Sequence, residues 1–437
     1  MLRMFRSLLL IFFIGLSSYF LFSCAGRKVK IEVPEEKPAP QRKVEIRVLK
    51  EVPHIRVLIG EPSKRVRISV NGSFFVGRDF RDESLRRYDN GGRYAVRMSG
   101  GNIVLSGIKK DIFKSDQLVV VPHAGSTIYL NGKPYRGTFK FVSSDKGILV
   151  LNVLEIEEYL KGVLPSEIGY LAQNQYEAYR AQAIASRSYA LSKLKEKVNE
   201  LYDVKASVMD QVYRGILGEH DIASKAVDET RGLVAVWNGE PIVAYYSSCC
   251  GGHTSDIREV WPWKTPFPYL YGVRDTVVET RGRSLCSRSA NFRWKVIWSG
   301  NRLREILRKT IPSELGERRG SVGRLKDLKV LSRSLDGRVK EIEIVTDRKT
   351  FRVQGDRIRW VLRPDLSSGK ILKSTMFKLD VKKSRGVVLR ATATGGGNGH
   401  GVGMCQYGAI RMAELGYSGE EIIEHYYPGV DVVRLYY

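Results

Sequence analysis

Apolar positions recur every three or four residues along one long stretch of the chain, residues 175–197, and no Pro or Gly interrupts it. This spacing places the apolar side chains on one face of an α-helix. The opposite face carries the small residues Ala178, Ala181 and Ala185, which allow a second element to approach. The sequence therefore predicts a long helix that is covered on two sides and lies at the centre of the fold.

One charged residue falls on the apolar face of this helix, because Arg187 lies four residues after Ala183. A buried guanidinium needs a partner, since an unpaired buried charge costs on the order of several kcal/mol. The nearest candidate in sequence is Glu167, in a Pro-Ser-Glu corner that we expect between a short acidic helix over residues 154–160 and the long helix. The simpler alternative is that Arg187 extends to water or pairs with another structural carboxylate.

Residues 54–150 show strand-like runs, and the Asn-Gly pairs at 71–72 and 131–132 predict hairpin turns between them. A further Asn-Gly pair at 238–239 predicts another hairpin after the long helix. These patterns predict an α+β fold in which an antiparallel β-rich region packs with the central buried helix, with a binding cleft between subdomains.

The length of 437 residues favours two or three domains. The predicted organisation is a lipoprotein-type signal segment 1–24, a charged Pro-rich linker 25–53, an N-terminal β-rich part 54–150, a core 151–295, an accessory α/β segment 296–390 and a glycine-rich C-terminal motif 391–437 that returns to the core.

The N-terminus has the pattern of a secretion signal: Arg3 and Arg6 precede an apolar run over residues 8–21, which is followed by Cys24. A small residue before a cysteine resembles a bacterial lipobox, in which Cys24 is lipidated, although the bulky Phe22 departs from that motif. An uncleaved anchor is the alternative. Both predict an exported cell-envelope protein attached to a lipid membrane and facing the wall or periplasm.

The chain is strongly basic, with 72 Lys and Arg against 47 Asp and Glu and a net charge of +25. Such a balance favours polyanions, which include nucleic acid, an anionic membrane and an acidic wall polymer. Export excludes nucleic acid as a partner. The C-terminal glycine-rich turn lacks the Gly-Lys-Ser/Thr of a phosphate-binding loop, so no cofactor is predicted.

Beyond Cys24, the chain has Cys249, Cys250, Cys286 and Cys405. Four cysteines allow three pairings or a metal site, and their number does not choose among these. We predict a Cys250–Cys286 disulfide, because the chain is exported and Cys250 ends a strand beside a Gly-Gly turn. Cys249 should then point to the opposite side. A metal site from Cys249 or Cys250, His253 and Cys286 has conceivable ligands, but no Cys-x-x-Cys spacing supports it, so none is predicted.

Five separate blocks of the sequence, in the same order, resemble the SpoIID/LytB family, which comprises sporulation stage II protein D and the amidase enhancer LytB. The resemblance extends over residues 55–437. The five blocks are residues 154–167, 181–190, 245–254, 399–409 and 425–429.

The resemblance implies a bacterial cell-wall protein. Sporulation members of the family are lytic transglycosylases that cut peptidoglycan glycan strands and prefer strands stripped of stem peptides, and their catalytic acid corresponds to Glu167. LytB members instead stimulate an N-acetylmuramoyl-L-alanine amidase. We therefore expect a lytic transglycosylase. A non-catalytic wall-binding activator of a cell-wall amidase is the alternative, and a purely structural envelope protein is a third.

A single carboxyl group suffices for lytic transglycosylation, whereas hydrolytic glycosidases normally need two. Glu167 would protonate the leaving oxygen and then deprotonate the muramic acid 6-hydroxyl, which attacks to give a 1,6-anhydro end. Apolar neighbours such as Val163, Leu164 and Ile168 should raise the pKa of Glu167 by desolvation. A close ion pair with Arg187 would oppose that rise, so Arg187 is expected to orient the site or bind a substrate carboxylate. The alternative for Glu167 is a capping carboxylate at a helix N-terminus.

Further residues of the motif-like loops and helices are expected to bind the glycan, with aromatic rings against the sugar rings and loop histidines bonded to hydroxyl groups. Some sporulation members bind zinc through Cys, His and Cys, but the corresponding stretch here has Val204, Met209 and Asp210, so that site is not expected. The predicted substrate-binding set is Arg187, Tyr189, Gln211, Tyr213, Ser248, His253, Thr254, His400, Gln406 and Tyr426.

Overall fold

A computed structural model describes residues 48–80 and 85–437. The predicted signal segment 1–24, with the lipidation site Cys24, and most of the linker lie outside these residues. The described part of the chain contains eight α-helices and strands in several mainly antiparallel sheets, which confirms the α+β fold class. Within the same residues, no helix is both long enough and apolar enough to cross a membrane.

Two antiparallel sheets form the N-terminal region, because the strand-like runs alternate apolar and polar side chains. Their strands are β1 (His54–Leu58), β2 (Arg65–Val70), β3 (Phe74–Gly77), β4 (Arg86–Tyr88), β5 (Gly92–Ser99), β6 (Asn102–Ser106), β7 (Asp111–Ser115), β8 (Gln117–Pro122), β9 (Ile128–Leu130), β10 (Lys133–Tyr135), β11 (Thr138–Ser144) and β12 (Gly147–Glu155). One sheet has the order β1-β12-β11-β8-β3-β4, with a later strand, Val204–Lys205, paired in parallel with β1 at its edge, and the other has the order β10-β9-β2-β5-β6-β7.

The Asn-Gly turns gave one correct and one wrong prediction in this region. Asn131 and Gly132 both have positive φ, 50° and 84°, and join β9 to β10 as a two-residue hairpin. Asn71 does not form a hairpin, because β2 and β3 belong to different sheets. Its backbone N–H donates to the Thr127 carbonyl, and its side chain accepts from the Thr127 N–H. The Asn-Gly pair at 71–72 therefore lies in the connection between the two sheets.

The helices follow the sheets and begin the core. They are α1 (Ile156–Ile168), α2 (Tyr176–Glu196), α3 (Asp221–Glu229), α4 (Ile257–Val260), α5 (Gly300–Leu315), α6 (Arg357–Val361), α7 (Gln406–Glu414) and α8 (Gly419–Tyr426). Every residue of α2 from Ala181 to Leu191 is buried. Because α2 packs against α1, α3, α7 and α8, the predicted central buried helix is confirmed.

The expected corner at Pro165 is wrong, because α1 continues through this residue to Ile168 and is capped by Gly169. A proline inside a helix costs roughly 3 kcal/mol. The burial of Val163 and Leu164, both 0% exposed, offsets a cost of that size. As a result, Glu167 lies in the last turn of α1, and the alternative that it caps a helix N-terminus is also wrong.

Twelve further strands follow within the described part of the chain. They are β13 (Val204–Lys205), β14 (Leu233–Trp237), β15 (Glu240–Pro241), β16 (Tyr246–Ser247), β17 (Trp294–Ser299), β18 (Leu325–Arg333), β19 (Val339–Thr346), β20 (Thr350–Gln354), β21 (Phe377–Ser384), β22 (Val387–Gly395), β23 (Met404–Cys405) and β24 (Asp431–Arg434). The turn at Asn238 joins β14 to β15, as predicted. Strand β24 pairs with β14, and β23 pairs with β16.

Two hydrophobic clusters contain most of the buried apolar residues of the described chain. The larger combines the N-terminal sheets with α1–α4, α7 and α8. The smaller lies between Trp294 and Ala393 and includes the fully buried face of α5. The chain thus leaves the larger cluster after Cys286 and returns to it at Val402.

Candidate active site

Glu167 is half-buried in the last turn of α1. Burial raises the pKa of its carboxyl group to about 7, and a hydrogen bond from the Val212 N–H opposes that rise. The negative end of the α1 dipole acts in the same direction as burial. No Lys, Arg or His of residues 48–80 and 85–437 forms an ion pair with Glu167. The predicted rise in its pKa by desolvation is therefore confirmed.

The segment that presents the Val212 N–H to Glu167 is fixed by the buried side chain of Gln211. This side chain accepts a hydrogen bond from the Tyr159 hydroxyl and donates one to the Tyr246 hydroxyl, each at 3.0 Å. Gln211 is 0% exposed, so it has no surface for a substrate. The structure places it behind the site as a positioning residue.

Two predicted binding tyrosines also hold this segment. The Tyr213 hydroxyl donates to Asn152 Oδ1 at 2.8 Å, and the Tyr189 hydroxyl donates to Asp210 Oδ1 at 2.8 Å. Both tyrosines are buried. Together they fix the chain on both sides of Gln211.

Arg187 pairs with Glu157 in the first turn of α1, and not with Glu167. Its guanidinium donates to both carboxylate oxygens, Nε to Oε1 at 2.9 Å and Nη2 to Oε2 at 2.7 Å. The Tyr436 hydroxyl donates to the same carboxylate at 2.7 Å. Because Arg187 is 0% exposed, the expectation that it contacts substrate is wrong. The spacing that put it on the buried face of α2 also explains why it needed a carboxylate.

The C-terminal motif reaches Glu167 through Gln406. The Gln406 side chain donates to the Glu167 carbonyl oxygen and to Gln182 Oε1, each at 3.1 Å. The next residue, Tyr407, donates its N–H to the carbonyl of the half-buried Ser248. Because Gln406 is buried, its hydrogen bond to the Glu167 carbonyl oxygen fixes the end of α1 within the protein interior.

His400 packs against aromatic side chains. Its ring centroid lies 4.8 Å from that of Trp261 and 6.0 Å from that of Tyr245. Burial lowers the pKa of His400 to about 4, so the imidazole is neutral at pH 7. Because Nδ1 accepts from the Val402 N–H at 3.1 Å, the ring proton lies on Nε2.

Trp261 and Lys264, which the sequence interpretation missed, belong to the same group. The ammonium of Lys264 lies 4.4 Å from the Trp261 ring centroid, and it donates to the Tyr245 hydroxyl at 2.7 Å. The Tyr245 ring lies 5.9 Å from that of Tyr189, which bonds to the segment beside Glu167. The available signal was the aromatic run that begins at Trp261, in which Trp263 is 56% exposed.

Three predicted binding residues lie elsewhere in the structure. The Thr254 hydroxyl is buried and bonds to the backbone of Val273, and His253 Nδ1 contacts the Thr254 carbonyl at 2.6 Å. The buried Tyr426 donates to Asp275 Oδ1 at 2.7 Å. Within the described residues none of the three hydrogen-bonds to Glu167.

The predicted Cys250–Cys286 disulfide is not made, because both thiols are free and their sulfurs are 3.7 Å apart. Cys249 does not point away from them as expected. Its thiol lies within hydrogen-bonding reach of those of Cys286 and Cys405. The alternation of a regular strand does not extend to Cys249 and Cys250, because β16 ends at Ser247 and Cys249 forms only an isolated bridge with Asn398.

Comparison with known proteins adds two family matches. Residues 144–237 match the family model described as stage II sporulation protein, and residues 257–403 match one described as a domain of unknown function. The first range contains α1, α2 and Glu167, and the second contains Trp261 and His400.

Several relatives are similar over most of the chain. An uncharacterized protein of Brachyspira hyodysenteriae is 34% identical over 305 residues, which cover 70% of this chain and 73% of the relative. The amidase enhancer of Bacillus subtilis is 29% identical over 364 residues, 78% of this chain and 50% of the enhancer. Stage II sporulation protein D of Bacillus amyloliquefaciens is 28% identical over 296 residues, 64% of this chain and 74% of the relative.

The fold and the site define a class of α+β proteins in which a half-buried acid ends a core helix and a C-terminal motif holds it in place. With the matches above, the chain belongs to the SpoIID/LytB family. It spans only half the length of the amidase enhancer.

Proposed function

We propose that this protein is an exported lytic transglycosylase that cleaves peptidoglycan glycan strands, with Glu167 as general acid and base. The observation that carries the proposal is the half-buried carboxyl group of Glu167, whose pKa burial raises to about 7. At neutral pH such a group is present in both protonation states in similar amounts. A general acid that must later act as a base needs this balance.

The reaction proceeds in two proton transfers. The protonated carboxyl of Glu167 gives its proton to the glycosidic oxygen as the bond from that oxygen to the muramic acid C1 breaks. The resulting carboxylate then takes the proton of the 6-hydroxyl as O6 bonds to C1, which closes the 1,6-anhydro ring and restores the acid. The Val212 N–H, which bonds to the carboxyl group, stabilises the charged intermediate state of Glu167.

His400, Trp261, Tyr245 and Lys264 form the glycan-binding surface in this proposal. The half-buried rings of Trp261 and Tyr245 suit stacking against pyranose rings, and the neutral His400 offers an Nε2–H to a sugar hydroxyl. Lys264, held between the two rings, replaces Arg187 as the cation for the lactyl carboxylate of muramic acid. The net charge of +25 suits an acidic wall polymer. The proposal includes export and attachment to the membrane through Cys24.

The alternative is a wall-binding activator of a separate N-acetylmuramoyl-L-alanine amidase. The observation in its favour is the similarity to an amidase enhancer over 78% of this chain. In that case the surface around His400 binds glycan, and Glu167 performs no proton transfer.

Digestion of purified peptidoglycan separates the two functions. The full chain is incubated with intact sacculi and with sacculi freed of stem peptides, and the soluble products are analysed by mass spectrometry. Products that end in 1,6-anhydromuramic acid, more abundant from the stripped strands, are the expected result. If no glycan is released but a cell-wall amidase added to intact sacculi works faster in the presence of the chain, the activator is correct.

A further inference from the structure

A second cluster of reactive side chains lies outside the proposed catalytic group. Three cysteine sulfurs and one carboxylate oxygen, from Cys250, Cys286, Cys405 and Asp275, all lie within 4.8 Å of one another. All four residues are 0% exposed. The catalytic proposal uses none of them.

Distant parts of the chain meet at this cluster. Parallel pairing of β16 with β23 places Ser247 opposite Cys405, and the chain then turns so that Cys250 faces the same point. The Cys250 N–H donates to the Cys405 sulfur at 3.2 Å. Cys286 joins from a short helical turn, and its N–H donates to Asp275 at 2.9 Å. The cluster therefore connects three segments that are far apart in sequence.

Asp275 is a buried carboxylate with only neutral partners. The hydroxyls of Tyr426 and Ser284 donate to it at 2.7 Å each. No Lys, Arg or His in the described ranges 48–80 and 85–437 forms an ion pair with it. A cation bound at this point would offset the cost of burying the ionised carboxylate.

The sulfurs are also set up as acceptors. The Gly252 N–H donates to Cys250 at 3.4 Å, in addition to the bond from Cys250 N–H to Cys405. Backbone N–H groups that point at sulfur stabilise thiolates and commonly surround metal-bound cysteines. Asp275 receives its own donors in the same way.

We propose that Cys250, Cys286, Cys405 and Asp275 bind one structural zinc ion in a closed tetrahedral site. Structural zinc is bound by four ligands, which include thiolates and carboxylates. Three thiolates favour zinc over magnesium or calcium. A Zn–S bond of about 2.3 Å implies sulfurs about 3.8 Å apart in a tetrahedron, and the Cys250 and Cys286 sulfurs are 3.7 Å apart. Two thiols in van der Waals contact have a similar sulfur–sulfur distance. The proposal therefore rests on the convergence of four ligand atoms.

A zinc ion at this site would stabilise the segment that holds the end of α1 and Glu167. Cys405 directly precedes Gln406, whose side chain holds the Glu167 carbonyl oxygen. Zinc would fix this junction to the turn after β16 and to the segment of Cys286. The four protein ligands leave no open position for water, so the ion is structural and not catalytic. The inference holds equally for an enzyme and for an activator.

Metal content of the full chain tests the proposal. The protein is purified under reducing conditions with zinc, and free metal is then removed. We expect about one zinc ion per chain by inductively coupled plasma mass spectrometry. Replacement of zinc by Co²⁺ should give the intense absorption of tetrahedral thiolate coordination. Cys286→Ser and Asp275→Asn should lose most of the metal. Cys249→Ser changes an equally buried cysteine that is not among the four proposed ligands, although its thiol lies within hydrogen-bonding reach of Cys286 and Cys405, and it should keep the metal.

These measurements also contain the outcomes that overturn the proposal. Parental protein with less than about a tenth of an equivalent of zinc and no cobalt spectrum would exclude the site, even if the variants fail to fold. A Cys250–Cys286 disulfide found by non-reducing peptide mapping of metal-free folded protein would also exclude it. Loss of metal in Cys249→Ser with retention in Asp275→Asn would show that the assignment of Asp275 is wrong.

Discussion

The two ends of helix α1 carry the same side chain in opposite electrostatic states. Glu157, in the first turn, is buried, yet the charge and hydrogen bonds of Arg187 outweigh burial and lower its pKa. Glu167, in the last turn, is half-buried, has no cation beside it within the described residues, and has its pKa raised to about 7 by burial. One carboxylate is held ionised, and the other can exchange a proton at neutral pH.

The difference shows why burial of a carboxyl group does not by itself identify a functional site. Desolvation raises the pKa in both places, and only the partner decides the outcome. A bidentate guanidinium, two further donors and complete enclosure make Glu157 a structural anchor. A single backbone N–H and partial exposure leave Glu167 free for proton transfer.

The largest effect is expected from Glu167→Gln. The amide keeps the shape of the side chain but has no acidic proton, so release of anhydromuramic products should fall by roughly 10²- to 10⁴-fold. Product formation is followed by mass spectrometry, and folding by thermal unfolding. Glu158→Gln, on the same helix and paired at the surface with Lys161 and Arg136, is the matched control and should change the rate little. A Gln variant with the parental rate would make the catalytic assignment wrong.

The opposite end of α1 should respond in stability. Arg187→Met leaves the carboxylate of Glu157 buried without its cation, which should destabilise the fold by about 3 to 5 kcal/mol. The double variant with Glu157→Gln removes the charge as well and should recover part of the loss. Urea unfolding of the three proteins measures the difference. Equal stability of parental and Arg187→Met proteins would contradict a structural role for the pair.

The contributions of Glu167 and Glu157 to the free energy of unfolding should change with pH in opposite directions. Glu167 has a folded pKa of about 7, above its ordinary 4.5, so the native state binds more protons between these values. Its stability contribution is present at low pH and is lost as pH rises through about 7. Glu157 has a lowered pKa, so its contribution is present above its ordinary value and is lost as pH falls through the folded value.

Two measurements check the Glu167 part of this prediction. The cleavage rate, which needs the protonated acid at the first step, should fall as pH rises above about 7. Between pH values of about 5.5 and 8, the parental protein should also lose unfolding free energy relative to Glu167→Gln. A parallel pH dependence of the two proteins would show that the pKa of Glu167 is not raised.

The contrast between the two glutamates also marks what the sequence could predict. Periodicity located the buried helix α2, since an apolar face and small residues on the opposite face predict burial on two sides, and eleven consecutive residues are buried. It also showed that Arg187 needed a carboxylate. It could not choose Glu157 over Glu167, because the choice depends on helix α1 running on through Pro165, and the packing of Val163 and Leu164 decides that.

Other contacts depend on how the chain returns to the core. Gln406 reaches Glu167 only because β23 pairs with β16, and no local pattern specifies a two-residue parallel pair. The same pairing brings Cys405 to Cys250. Trp261 and Lys264 were missed because they are far in sequence from His400 and were not part of a motif. The raised pKa of Glu167 could therefore be predicted from its apolar neighbours in the sequence, while the surfaces assembled by tertiary pairing could not.

The smallest expected effect concerns His400, where a binding role and a turn role compete. If Nε2–H bonds to a sugar hydroxyl, His400→Ala should weaken glycan binding by about 0.5 to 1.5 kcal/mol. The same substitution removes the acceptor for the Val402 N–H, so it should also lower the melting temperature. Gly401→Val should be more damaging, because Gly401 has φ of +83° and a Cβ there would meet the Arg338 guanidinium.

His400→Asn separates the two roles of this residue. The Asn side chain oxygen can take the place of Nδ1 and accept from the Val402 N–H, so the turn should keep its stability. It does not reach as far as Nε2, so the bond to a glycan is lost. Calorimetric binding to short glycan chains, with thermal unfolding of the same samples, should show roughly two- to tenfold weaker binding at an unchanged melting temperature. Full affinity in His400→Asn would leave the ring only its role in the turn, and glycan recognition would then rest on Trp261, Tyr245 and Lys264.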